Sequence, residues 1–125
     1  MLDGTCREVL EQTEFVAIVT NAASGPHLVA TWGDYVRQLG WEGDRLLIPV
    51  GMLRQTEANL ARDSRIQLLV ASRKAEGTRG PGQGCLIEGK GTIITSGEEA
   101  DRAKATFPWA RGALVVVVEK VTAQL

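Results

Sequence analysis

The chain has 125 residues, 44% of them apolar and 23% charged, with a formal net charge of −1. That is one ordinary domain with no room for a second core, and the composition is globular rather than disordered. Acids and bases are well mixed, which argues against a nucleic-acid binder but leaves room for a local cluster that holds one anion. The start "MLDGTCREVLEQ" is too polar for a signal peptide, and no apolar run approaches the roughly 20 residues that span a bilayer, so no membrane partner is expected.

Taken in chain order, Thr5-Cys6-Arg7-Glu8 has the form of a capping box and predicts a short helix over 6–12. Cys6 and Cys85 lie far apart among apolar neighbours, outside any C-x-x-C pair; both a disulfide and buried free thiols are open, the thiols being favoured and fitting a reducing cytoplasm. "EFVAIVTN" is β-rich and breaks at the turn "AASGP". "HLVATWGDYV" resumes as a strand with Leu28, Ala30 and Trp32 on one face and Val29 and Thr31 on the other.

Turn residues over 40–44 lead into the strand "RLLIPV", followed by a helix over 55–63 and the strand "RIQLLVAS". "RKAEGTRGPGQG" reads as a glycine-rich loop. "CLIEGKGTIITS" reads as a strand whose glycines mark bulges or close backbone approach. Ser96-Gly97-Glu98-Glu99 is a second capping box opening a helix to about 105, and "GALVVVVEKVTAQL" closes the chain as a long strand. The sum is about six strands and three short helices in a single domain over 1–125. Strands that follow one another without crossover helices favour an antiparallel sheet or barrel, which hides its edges. Both faces of 114–118 are apolar, so the closing strand needs cover on both sides, and a second subunit is the natural candidate for the outer one.

The join in "VGMLRQTEANLARD" stands out. The first N–H groups of a helix lack intrahelical partners and carry the positive end of its dipole, so a phosphate is well received there. Arg54 adds a charge, Gln55 and Thr56 add neutral donors, and Gly51 lets the backbone pass close to a ligand. An ordinary helix start, with Thr56 as N-cap and Arg54 solvated, fits the same spacing. Trp32, Tyr35 and Trp109 lie in polar company and suit either stacking on a flat heterocycle or plugging a barrel end, whereas Trp41 reads as a lid on the core. His27 has no second ligand at metal spacing, and no G-x-S-x-G, paired-carboxylate motif or Walker loop is present. Arg73, Lys74 and Arg79 form a small basic cluster, either solvated or within reach of a ligand phosphate.

"GPHLVATW" followed by Tyr35, then "PVG", "TEANLARD", "SRK", "GPGQGCLIEG" and "WARGALVVVV", run in order through nearly the whole chain. In this series the sequence resembles the small FMN-binding proteins of sulfate-reducing bacteria, of the FMN-binding split-barrel class that includes, at longer range, pyridoxamine phosphate oxidase. The resemblance implies a six-stranded antiparallel split β-barrel, a homodimer, and one FMN per subunit held non-covalently near the dimer interface. It implies the flavin phosphate at Arg54, Gln55 and Thr56, with Thr31 and Trp32 lining the ring and Pro49, Val50 and Gly51 giving backbone contacts. Trp109 would lie on the other side of the ring region, and the C-terminal Leu125 would cross from the partner subunit.

Four positions depart from that pattern: Ala30 stands for a family Asn, Met52 for a Gly, Arg54 for a His and Gln55 for a Lys. Losing the Lys cation beside a phosphate removes about 1–2 kcal/mol, and Arg54, where the family has His, is the candidate to compensate. The resemblance implies a cytoplasmic low-potential electron-transfer flavoprotein with an unidentified redox partner and no dedicated catalytic base, since an apolar wall disfavours negative charge on a reduced ring. A flavin-dependent oxidase or flavin reductase of the same fold is the alternative. A chain that has lost tight flavin binding is a third.

Overall fold

In a computed structural model, which describes residue 2, residues 4–77 and residues 80–124, the aliphatic runs pair into one antiparallel sheet. Helix α1 (Gly4–Gln12) precedes strands β1 (Phe15–Ala22) and β2 (Gly25–Trp32). Helix α2 (Gly33–Leu39) then leads through β3 (Trp41–Glu42) to β4 (Arg45–Val50). Helix α3 (Arg54–Arg62), strands β5 (Arg65–Gly77) and β6 (Gly80–Ile94), helix α4 (Glu98–Thr106) and strand β7 (Gly112–Gln124) complete the chain. The strand order is β2-β1-β5-β6-β7-β4-β3. The sheet is split-barrel-like and not closed, leaving β2 and β3 as edges. Seven strands replace the six expected because the two-residue β3 folds back on β4, pairing Trp41 with Leu46 across a turn in which Gly43 has a φ of 59°.

The concave face holds the main core. Val16 and Ile18 of β1, Leu46 and Ile48 of β4, Leu68 of β5, Ile87 of β6 and Leu114 and Val116 of β7 are buried there with Val9 and Leu10 of α1. Each such side chain contributes about 1.5–3 kcal/mol of burial. The other face of β4 and β7, for which a second subunit was the expected cover, is covered from within the chain as far as Val115, while Val117 stays 43% exposed. Leu47, Ala113 and Val115 pack against Leu39 of α2 and against Ala103 and Phe107 of α4 and its exit. Two bonds from Arg45 to Glu99, at 2.7 and 2.6 Å, tie β4 to α4 and hold the Glu99 carboxyl below its ordinary range.

Several expectations are corrected. The strand read through "WGDYV" ends at Trp32, and α2 begins at once: a Cβ on Gly33 would sit 2.0 Å from the Thr13 carbonyl oxygen, so only glycine allows the chain to turn against α1's exit. Residues 73–84 are mostly strand rather than loop. β5 runs to Gly77 and β6 restarts at Gly80, with a register shift between Ser72 and Glu76 absorbing the irregularity. Neither capping box forms: Thr5 lies inside α1, and the N-cap of α4 is Gly97, without a side-chain cap bond. The bulge expected from the β6 glycines is present, between Glu88 and Gly89. No helix among the described residues is long and apolar enough to cross a membrane.

The cysteines are the plainest correction. Cys6 of α1 and Cys85 of β6 form a disulfide, with Cα atoms 5.7 Å apart, so the free-thiol reading falls and the case for a reducing compartment loses its support. Sequence separation hid a contact that the docking of α1 on the sheet creates. Closing a loop of 79 residues restricts the unfolded chain severely, and bonds of this kind commonly stabilise by about 2–4 kcal/mol. Denaturant unfolding with a strong reductant is therefore expected to lose about 2–4 kcal/mol against the oxidised protein. Identical unfolding midpoints would show that the two sulfurs are unbonded in solution.

Candidate functional site

The β4–β7 pairing places two turns side by side. β4 ends at Val50, opposite Gly112 at the start of β7, so residues 51–53 leave the sheet beside residues 109–111. A Cβ on Gly51 would come within 3.0 Å of Cε3 of Trp109, so the indole lies directly on that glycine. Trp109 also meets Tyr35 of α2 at a ring-centroid distance of 5.3 Å, and both contact Phe107. Tyr35 in turn lines an open pocket of about 370 Å³ together with Phe15, Ala30, Thr31 and Trp32. Tyr35 thus joins the β2 aromatic region to the turn after β4. Trp32 and Trp109 are 53% and 50% exposed, so half of each indole is left for a ligand or a partner to cover.

The helix start carries the polar half of the site. The N-cap of α3 is Leu53, which has no polar side chain and adopts the left-handed region with φ 50° and ψ 37°. It leaves the first-turn N–H groups uncapped. Thr56 is not the N-cap; it sits in the first turn, fully buried, and its Oγ1 has no hydrogen-bond partner among the described residues. A buried hydroxyl without a partner is costly, and a helical threonine usually bonds the carbonyl four residues back. Here that carbonyl, of Met52, accepts from Nη2 of Arg111 at 2.7 Å.

The remaining expected residues fall in three places. Arg54 is well exposed and only loosely paired, with Nη1 4.0 Å from Oε1 of Glu57. Gln55 turns along the helix, its Nε2 donating to Oδ1 of Asn59 at 2.8 Å, and Asn59 continues to Oγ1 of Thr20 at 3.1 Å. Pro49 and Val50 are buried in β4; the Val50 carbonyl accepts the Arg111 N–H at 2.8 Å. Leu125 and Arg79 lie outside the described residues. Arg73 and Lys74 are exposed on the β5 extension.

Two contributors were not singled out from the sequence. Arg111, only 19% exposed, binds the carbonyls of Gly51 and Met52 and pairs with Glu57 at 3.0 Å. The only sequence signal was a cation in "PWARG", one strand away from the turn it serves. Phe15, half exposed beside Trp32, is the second; the two are cross-strand partners.

The fold and site can be set beside known proteins. A family model described as pyridoxamine 5'-phosphate oxidase matches residues 2–124. Over 118 residues the chain is 48% identical to the FMN-binding protein of Nitratidesulfovibrio vulgaris (strain Miyazaki F), with 94% of each chain covered. HupZ of Group A Streptococcus has the same fold, with a TM-score of 0.80 at 17% identity over 99% of this chain and 100% of that one. An FMN-binding protein from Syntrophomonas wolfei gives 0.68 at 15%, covering 97% and 84%. With a family model spanning almost all its length and a relative at that identity, the protein belongs to the pyridoxamine 5'-phosphate oxidase family.

Proposed function

We propose that the chain binds FMN non-covalently and works as a low-potential electron carrier, as a homodimer that meets a redox partner protein. The observation that carries this reading is the α3 start, where uncapped first-turn N–H groups and the unpartnered Thr56 hydroxyl await an acceptor. A phosphate there meets Arg54, the exposed and only loosely paired cation at the first residue of α3. The aromatic region of Trp32, Tyr35 and Trp109 stands next to it, joined through Gly51, and suits the flat isoalloxazine. A 48% identical relative named for FMN binding supports the same cofactor.

Bound there, the flavin would supply the redox chemistry, and this chain's residues would orient the ring, exclude water and set its potential. The pocket is lined by Phe15, Ala30, Thr31, Trp32 and Tyr35, with no carboxylate, imidazole or cation among them. That lining favours an electron carrier with a low potential over an oxidase or reductase, which needs groups to move substrate protons. Turnover of pyridoxamine phosphate, or of flavin with NADH, would reverse the choice.

The dimer has a physical motive in the sheet's outward face. Phe15, Leu28, Trp32 and Leu69 are exposed there on neighbouring strands, in registers pairing Phe15 with Trp32 and Ala17 with both Ala30 and Leu69. A contiguous apolar patch of this kind marks an interface. It adjoins the Trp32 pocket, so a partner covering it would also shield the ring.

The absorption spectrum of protein purified without added cofactor tests the reading first. Flavin bands, with FMN released on heating, support it; a colourless protein that leaves added FMN fluorescence unquenched ends it. Trp32→Ala is expected to weaken FMN by about 5- to 100-fold and to shift its midpoint potential, measured by fluorescence titration and redox titration. Gln55→Lys should raise FMN affinity by about 5- to 30-fold by adding a cation at the helix start. No gain would show that position 55 does not reach the phosphate. Leu28→Lys is expected to turn dimers into monomers in sedimentation, and an unchanged mass would remove this face from the interface.

A further inference from the structure

One residue holds the whole turn between β4 and α3. Three consecutive carbonyls bond Arg111: Val50 to its backbone N–H at 2.8 Å, Gly51 to Nε at 2.9 Å and Met52 to Nη2 at 2.7 Å. The same Nη2 lies 3.0 Å from Oε1 of Glu57, the acid in the first turn of α3. Immediately after these peptides comes Leu53, the one non-glycine residue with positive φ among the described residues, with its side chain packed on the main core. A left-handed leucine is strained and persists only where its surroundings hold it.

The electrostatics of an anion site make this arrangement necessary. Carbonyl lone pairs facing a phosphate would repel it, as would the Glu57 carboxylate one turn into the helix. In a trans peptide the C=O and N–H point in opposite directions, so carbonyls drawn onto Arg111 turn the N–H groups of Gly51, Met52 and Leu53 away from the guanidinium. The guanidinium fork is suited to several acceptors at once, and here it engages two carbonyls and the Glu57 carboxylate.

From this geometry we infer that Arg111 is the positioning residue of the anion site: it keeps the 51–53 turn in the form that receives a phosphate and neutralises Glu57, without being the phosphate's own ligand. The inference rests on the proposed phosphate site at the start of α3. It also separates two cations, Arg54 exposed and free to meet the ligand, and Arg111 largely buried and engaged with the protein's own carbonyls.

The test compares binding of FMN with that of riboflavin, which has the same ring and no phosphate. The proteins are the unaltered chain, Arg111→Gln, Arg111→Lys and the double variant Arg111→Gln with Glu57→Gln, all stripped of flavin. The unaltered chain should prefer FMN. Arg111→Gln should lose FMN affinity by about 10- to 100-fold while riboflavin affinity holds, so that the preference collapses. Arg111→Lys should recover only part of it, because an ammonium does not present a fork. The double variant should regain part of the loss, because the uncompensated carboxylate is gone. An Arg111→Gln protein that keeps the full preference for FMN overturns the inference, as does one that loses both ligands equally. Should Arg111→Gln not fold, an Arg111→Lys variant with the full preference overturns it in the same way. An unaltered chain that binds riboflavin as well as FMN fails differently, since it removes the phosphate site itself.

Discussion

The β4–β7 pairing is the constraint on which the site depends. Arg45 faces Val117 and Val50 faces Gly112, so the last residue of one strand and the first of the other are neighbours, and whatever follows Val50 must lie beside whatever precedes Gly112. Gly112 allows this: a Cβ there would sit 2.1 Å from the carbonyl oxygen of Ile94. Because side chains alternate with a period of two, a slip of one residue would expose Leu46, Ile48, Leu114 and Val116 and take Arg111 away from the turn it binds. The aliphatic core, which reaches the site through Val50 and Leu53, thus fixes the geometry of its polar groups.

That division explains why the site can break local rules. A leucine in the left-handed region, a helix start without a capping side chain and a buried threonine hydroxyl without a partner are each unfavourable alone. They cluster within four residues, 53–56; α2 and α4 also start without a capping side chain, but neither start adds a non-glycine residue of positive φ or a buried hydroxyl without a partner among the described residues. Concentrated departures of this kind mark places where function outweighs stability. The same turn is held by Arg111 through the Gly51 and Met52 carbonyls and by Trp109 lying on Gly51.

The two apolar layers have different roles. Inside the sheet, long aliphatic side chains from every major strand and α1 make the main core, stapled by Cys6–Cys85. Outside it, α2 and α4 cover β4 and β7 and carry Tyr35 and Phe107 towards Trp109. The outward face of β1, β2 and β5 has no such cover among the described residues, and its exposed Phe15, Leu28, Trp32 and Leu69 run on from the pocket that Phe15 and Trp32 line.

Local sequence determined much of this protein. Strand patterning placed β1, β4, β5, β6 and β7, the alternation in "HLVATW" put Leu28, Ala30 and Trp32 on one face, and the apolar-to-helical join located the start of α3. These signals are local because side-chain period and helix-end chemistry act over a few residues. Tertiary structure alone decided the rest. The disulfide required α1 to dock on β6 across 79 positions, α2 required the close approach of Gly33 to Thr13, and the cover of Val115 required α4 to fold back over β7. Arg111 reads as one more surface cation in "PWARG" until antiparallel pairing sets it against carbonyls 59 and 60 residues away. Register over that distance is settled by which side chains fill the core together, and no window along the chain contains that information.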